Sequence, residues 1–247
     1  MEQKTFALKG NIIYTKERTR FEVMEQGWLV CEEGRVRDVY SVLPEELKGI
    51  PVEDMGDRLI IPGLTDLHIH APQYTFRSLG MDMELLEWLE TNTFPEESKY
   101  KDTEYAQKAY GMFAEQLKKS ATVRACIFGT IHNEATLILM DLLEEAGLHT
   151  MVGKVNMDRN SPDYLCEPSA EASAQATREW LKAVADRKYK HTKPILTPRF
   201  TPSCTDELME LLKEIQTETH LPMQSHLSEN PGEIAWVKEL CPWSEFY

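Results

Sequence analysis

Two imidazoles stand two residues apart in Leu64-Thr65-Asp66-Leu67-His68-Ile69-His70, and a third closes Gln224-Ser225-His226. In an extended strand, residues i and i+2 share a face, so His68 and His70 would lie side by side. Neutral imidazole nitrogens bind zinc at about 2.0–2.1 Å. The pair fits a metal site, and it equally fits two histidines lining a polar strand end. His226 at the end of another strand could complete a three-histidine set with one position left for water, whose pKa zinc would lower toward neutrality. Glu229, three residues on, would then be placed to move protons between that water and a substrate atom. The alternative is a solvated carboxylate at the start of a helix, since Asn230-Pro231 follows.

The elements that must position these groups come in two kinds. Residues 1–60 carry β signals: a strand over Phe6 to Tyr14, and a hairpin over Gly27 to Tyr40 turning at Glu32-Glu33-Gly34. A weak helical signal lies only around Pro44 to Lys48. From residue 61 the pattern alternates strand and helix. Apolar strands are expected over Leu64–His70, Val123–Ile131, His149–Met157, Pro194–Phe200 and Pro222–His226. The helices between them are expected over Tyr105–Lys118, Ala135–Glu145, Glu171–Arg187 and Glu207–Thr217. In the first, Ala106, Ala109, Tyr110, Phe113 and Leu117 share one face. A last helix starts with Asn230 as N-cap, Pro231 at its first position and Glu233 reaching back.

Alternating β and α with apolar strands means a parallel sheet covered by helices, either doubly wound or a (β/α)₈ barrel. Polar residues gather at the C-terminal strand ends: His68 and His70, His132, Asn156 and Asp158, Arg199, then His226 and Glu229. Catalytic groups converging from several strand ends are what a barrel provides, and no G-x-G-x-x-G or P-loop favours a nucleotide-binding sheet. The expected fold class is therefore α/β. Residues 1–60 form a small β-domain, and residues 61–247 form about five of the eight units of a TIM-like barrel. The apolar ending Cys241-Pro242-Trp243-Ser244-Glu245-Phe246-Tyr247 leads to the expectation that the C-terminal part of the barrel is missing; the alternative is a complete five-stranded domain.

The 247 residues suffice for a sizeable core, and 42% hydrophobic with 28% charged residues argues against disorder. A net charge of −14 would repel a phosphate backbone, which argues against a polymeric nucleic-acid partner. No segment reads as a targeting sequence or a bilayer span. The five cysteines, Cys31, Cys126, Cys166, Cys204 and Cys241, are odd in number and form no C-x-x-C, so neither a disulfide framework nor a thiolate zinc site is indicated. A cytoplasmic enzyme is the expectation.

Pro62-Gly63-Leu64-Thr65-Asp66-Leu67-His68-Ile69-His70 resembles the first-strand motif of the amidohydrolase superfamily. Ala71-Pro72-Gln73-Tyr74, Phe94-Pro95-Glu96, Pro198-Arg199-Phe200-Thr201-Pro202-Ser203-Cys204 and Gln224-Ser225-His226-Leu227-Ser228-Glu229-Asn230 are similar to the guanine deaminases within it, in the same order. The resemblance implies a barrel with a composite β-sandwich at its N-terminus, zinc held by His68, His70 and His226, and Glu229 as the proton carrier. It implies Gln73, Arg199 and Phe200 as the residues holding guanine, and a homodimer for the full-length form. It also implies a further histidine from the sixth strand and an aspartate from the eighth, neither of which this chain contains.

The side chains suit those roles. Arg199 can donate to a purine carbonyl, Gln73 both donates and accepts, and Phe200 offers a face to a planar base. Taken from residues alone, Arg199 also fits a strand-end salt bridge and Phe200 a core aromatic. The expected reaction is hydrolysis of guanine to xanthine and ammonia. The alternatives are an amidohydrolase acting on a different nucleobase, a pterin or a triazine, and an inactive fragment serving in binding or assembly.

Overall fold

The computed structural model describes residues 5–244, so the aromatic ending Phe246-Tyr247 lies outside the described residues. Two compact units divide the chain, Met1–Gly63 and Leu64–Tyr247.

The first unit is a four-stranded sheet of β1 (Phe6–Glu17), β2 (Arg20–Glu32), β3 (Arg35–Tyr40) and β4 (Val52–Ile60), in the order β3-β2-β1-β4. β1 pairs antiparallel with β2 and parallel with β4, which the chain reaches through a single 3₁₀ turn at Glu45–Leu47. The β2–β3 hairpin turns on Glu33 and Gly34, both at positive φ (54° and 72°), the mirror-image turn whose twist matches paired strands. Ala7, Val30 and Leu47 are its buried centre, with Trp28, Tyr40, Leu43 and Ile50 packed against them.

In the second unit, β5 (Leu64–His70), β6 (Thr122–Phe128), β7 (His149–Gly153) and β9 (Thr192–Pro194) run parallel in the order β5-β6-β7-β9. The third and fourth strands are each interrupted and resume as β8 (Val155–Asn156) and β10 (Thr197–Pro198), which pair with one another. The expected fifth strand, Pro222–His226, forms no ladder. It lies beside the fourth through a parallel bridge between Leu196 and Met223 and the bonds Leu196 N–H to Pro222 O and Gln224 N–H to Leu196 O. Strand order thus follows chain order with no reversal. A doubly wound sheet reverses at a switch point, whereas a (β/α) barrel does not.

The helices are α1 (Leu85–Trp88), α2 (Phe94–Ser98), α3 (Thr103–Lys118), α4 (Asn133–Ala146), α5 (Ala170–Arg187), α6 (Asp206–Thr219) and α7 (Pro231–Leu240). Their starts are written in the sequence. Asp102, Ser169, Thr205 and Asn230 each accept a backbone N–H of the first turn. Glu233 does reach back, but its Oε2 accepts from Glu229 N–H at 2.6 Å rather than from the cap residue, so the bond secures the residue before the cap. One core lies between α3, α4 and the strands, with Ala109, Tyr110, Phe113, Leu139, Met140, Ile127 and Val152 buried in it. A second lies under α5 and α6 around Leu196, Leu208, Leu212 and Ile215. Burying each such aliphatic side chain is worth about 1.5–3 kcal/mol relative to exposure.

Residues 71–101 form an excursion after β5 that hydrophobic periodicity does not announce. A 3₁₀ turn over Ala71–Phe76 leads to α1, a π-helical turn over Leu89–Thr93, α2, and a further 3₁₀ turn over Lys99–Lys101. Pro95 cannot donate to the carbonyl four residues back, and its ring crowds that position, so the widened turn beside it has a local cause.

Candidate metal centre and substrate cavity

β5 carries an extra residue in the stretch between Asp66 and Ile69 that holds His68: Asp66 pairs with Ala125 and Ile69 with Ile127, three steps against two. Asp66 Oδ1 accepts His68 N–H at 3.0 Å across this bulge. Bulges of this kind re-aim side chains beside functional sites. His68 and His70 come out with ring centroids 5.2 Å apart, and His226 reaches both, at 4.8 Å from His68 and 5.0 Å from His70. One nitrogen of each ring lies within 4.8 Å of the others.

His226 is held in one tautomer. Its Nδ1–H donates to Arg199 O at 2.6 Å, and its backbone N–H bonds to the same carbonyl at 3.1 Å. That leaves the Nε2 lone pair facing inward, 2.9 Å from His70 Nε2. Two ligands on one tetrahedral zinc at ordinary bond lengths stand about 3.3 Å apart, so the spacing is close to what a shared cation needs. Burial, then the neighbouring His226, Arg199 and His68, push the His70 imidazole well below its ordinary value. Burial likewise pushes His226 down to about 4, against the hydrogen bond to Arg199 O, which pulls the other way, and with help from the Arg199 guanidinium and the nearby His68. Both rings are thus neutral, the form that ligates metal. His70 Nδ1 is buried with no partner among the described residues. This donor set fits a metal ion.

The three histidines open onto a cavity of about 440 Å³ that Gln73, Arg199, Phe200 and Glu229 also line, together with Tyr74, Trp88 and Leu89. This volume lies within the range of small-molecule sites. Arg199 does two things: it borders the cavity, and its Nη1 makes a 2.6 Å ion pair with Glu97, with side chains 3% and 1% exposed, the strand-end salt bridge that its residue type allowed. Its guanidinium also lies 5.2 Å from the Phe94 ring centre. Phe200 likewise does two things, packing edge-on to Trp236 in the core while lining the cavity.

Gln73 rides on the Ala71–Phe76 turn. Glu96 anchors that turn by accepting from Thr75 Oγ1 at 2.6 Å and from the Tyr105 hydroxyl of α3. The Glu229 carboxyl is raised above the usual range by partial loss of water and by Glu233, with His68 and Arg199 pulling the other way. Ser228 just before it sits at φ 55°, a left-handed conformation that non-glycine residues adopt at some cost.

Three strand-end residues do not join the cavity. His132 caps the start of α4 and is not among the lining residues, because the strand ends at Phe128 and the chain has already turned. Asn156 donates to Ser173 and Thr177 in α5, and Asp158 accepts from Thr205 at the start of α6, so both hold helices. Two residues that sequence reasoning passed over matter more. Glu97 neutralises Arg199, and Phe128 at the end of β6 lies against all three imidazoles. Glu97 adjoins the quoted Phe94-Pro95-Glu96 motif, which was the available signal.

The sequence profile of the amidohydrolase family matches residues 59–245. The chain belongs to the amidohydrolase family. The chain is 38% identical to the guanine deaminase of Dictyostelium discoideum, over 97% of this chain and 57% of that protein. It is 37% identical to the guanine deaminase of Mus musculus, over 94% of this chain and 48% of that protein. Its backbone superposes on the crystal structure of guanine deaminase from C. acetobutylicum, solved with guanine bound in the active site, with a TM-score of 0.93 and 45% identity. That match covers 99% of this chain and 58% of the other. The chain spans about half the length of the curated relatives it matches. Among the described residues no helix is long and apolar enough to cross a membrane.

Proposed function

We propose that this chain supplies the metal-binding and base-binding part of a zinc-dependent guanine deaminase, which hydrolyses guanine to xanthine and ammonia. The observation that carries this reading is the convergence of His68, His70, His226, Gln73, Arg199, Phe200 and Glu229 on one cavity. The likeness to a structure holding guanine supports the choice of base.

His68, His70 and His226 would hold the zinc. Bound there, zinc supplies a Lewis acid that makes hydroxide available at neutral pH. Arg199, kept in place by Glu97, donates to the purine carbonyl, and its buried pairing makes the guanidinium a fixed dipole rather than a mobile one. Gln73 pairs with the ring edge as both donor and acceptor. Phe200 packs against the flat of the base, and with Trp88 and Leu89 it keeps bulk water from the reacting carbon. Glu229, its carboxyl raised and so more basic, would take a proton from the attacking water and pass it to the ring nitrogen beside the amine-bearing carbon, then take the second proton of that water and pass it to the amine, which departs as ammonia.

On this reading residues 1–60 belong to a composite β-sandwich, residues 61–247 to the barrel, and the full-length enzyme is a cytoplasmic homodimer. Steady-state assays of the protein made from the complete coding sequence, against guanine, a pterin and a triazine, test the substrate. Guanine should be the preferred substrate by kcat/KM. Absence of guanine turnover in a zinc-loaded preparation would sink the proposal, and preference for the pterin or triazine would move it to another amidohydrolase activity.

A further inference from the structure

Phe128 ends β6 in register with His70 of β5, and no part of it is exposed. Its ring lies 4.4 Å from the His70 ring at 13°, a stacked pair, and 4.9 Å and 4.6 Å from the rings of His68 and His226 at steeper tilts. All three imidazoles therefore rest on one carbon surface. Metal-bound histidines are ordinarily oriented through the second ring nitrogen, bonded to a carboxylate or carbonyl. Among the described residues His226 has that bond, to Arg199 O. His70 Nδ1 has no protein partner, and His68 makes no ring hydrogen bond among the described residues.

We propose that Phe128 is a positioning residue of the metal centre, a flat apolar floor that fixes the planes of the His70 and His68 imidazoles. An aromatic ring stacked on an imidazole restricts rotation about the last side-chain torsion, which is otherwise broad. β6 is suited to the task because it touches both sides of the site. It pairs with β5, and Ile127 O accepts from Gln224 Nε2 of the segment that carries His226. The inference rests on the metal reading above.

The test compares the chain with Phe128→Leu, Phe128→Met and Leu165→Ala. Leu165 is fully buried in the same cluster as Phe128 and is not among the residues that line the cavity of the histidines. Zinc affinity is read by competition with a chromophoric chelator, ligand geometry by the visible bands of the cobalt(II) form, and stability by urea unfolding in chelator. Both Phe128 variants should bind zinc roughly 10- to 100-fold more weakly and change the cobalt bands. Leu165→Ala should lower the urea midpoint while leaving affinity and bands as in the parent. Parent-like zinc affinity in Phe128→Leu, or equal weakening by Leu165→Ala, would overturn the proposal. If neither Phe128 variant folds, the His70 ring-proton resonances of the parent decide: stacking requires an upfield ring-current displacement, and its absence overturns the proposal. A parent chain that takes up no zinc overturns the metal reading itself and this inference with it, an outcome distinct from a zinc-binding parent whose variants bind equally well.

Discussion

Removing one partner of the Arg199–Glu97 pair should cost far more than removing both. The side chains are 3% and 1% exposed and meet at 2.6 Å. In Glu97→Leu the guanidinium stays buried beside the Phe94 ring at 5.2 Å and Met157 Sδ at 3.9 Å, neither of them anionic. A remaining carboxyl whose charge it feels is Glu229, which burial and Glu233 push toward its neutral form, so the lost ion pair is not replaced in full. Breaking a buried pair in this way costs about 3–5 kcal/mol, and Arg199→Met, which strands the Glu97 carboxylate, belongs in the same range. The double variant Glu97→Leu/Arg199→Met leaves no buried charge and should fall within about 2 kcal/mol of the parent. The coupling energy is then at least about 4 kcal/mol. The assay is urea unfolding of all four proteins, where each single substitution should lower the midpoint by roughly 1–2 M at ordinary m-values. Additive losses in the double variant would refute the reasoning, because they would mean that neither charge depends on the other.

Other outcomes follow from the same structure. His132 is pushed down to about 4, by burial first and then by Lys101 and Lys154. The unfolded chain takes up this proton near pH 6.5 and the folded one only near pH 4, so this contribution to stability is complete above about pH 6.5 and lost as pH falls toward 4. Urea midpoints measured across that window should fall less steeply in His132→Gln than in the parent; identical slopes would contradict the assignment. A Cβ on Gly153 would overlap Thr197 Oγ1 and come within 2.7 Å of Thr197 Cβ and 2.9 Å of Ile195 O, so Gly153→Ala should push β7 from the fourth strand and cost about 1–3 kcal/mol or more, read as a lowered thermal midpoint. Glu229→Gln in the enzyme made from the complete coding sequence should reduce kcat by about 10²–10⁴ while zinc content, measured by atomic emission, stays as in the parent.

Much of this arrangement was legible in the chain because it depends on local rules. The period-two spacing of His68 and His70 put both rings on one face, the Asn230 cap fixed the start of α7, and the apolar period placed the starts of α3 to α6 within a few residues. What escaped depends on contacts distant in sequence. Glu97 and Arg199 are 102 residues apart, so although Arg199 fits a strand-end salt bridge and Glu97 adjoins a quoted motif, the sequence does not say that the two are partners. Phe128 looks like any core aromatic until β5 and the His226 segment are laid beside it. The excursion over residues 71–101 is built from single turns, too short for a hydrophobic period to show, and one of them is π-helical. The expected strand at Pro222–His226 reduces to a single bridge because its hydrogen bonds go largely to Leu196 and to the Arg199 carbonyl, which the His226 backbone and ring share.

The central claim is that His68, His70 and His226 together form a metal site. Its most direct test is zinc titration of the chelator-treated chain by calorimetry, alongside His70→Ala and His226→Ala. The account predicts saturation at a single zinc per chain in the parent and loss of that binding in both variants. Unchanged zinc binding after either substitution, or none in the folded parent, would contradict it.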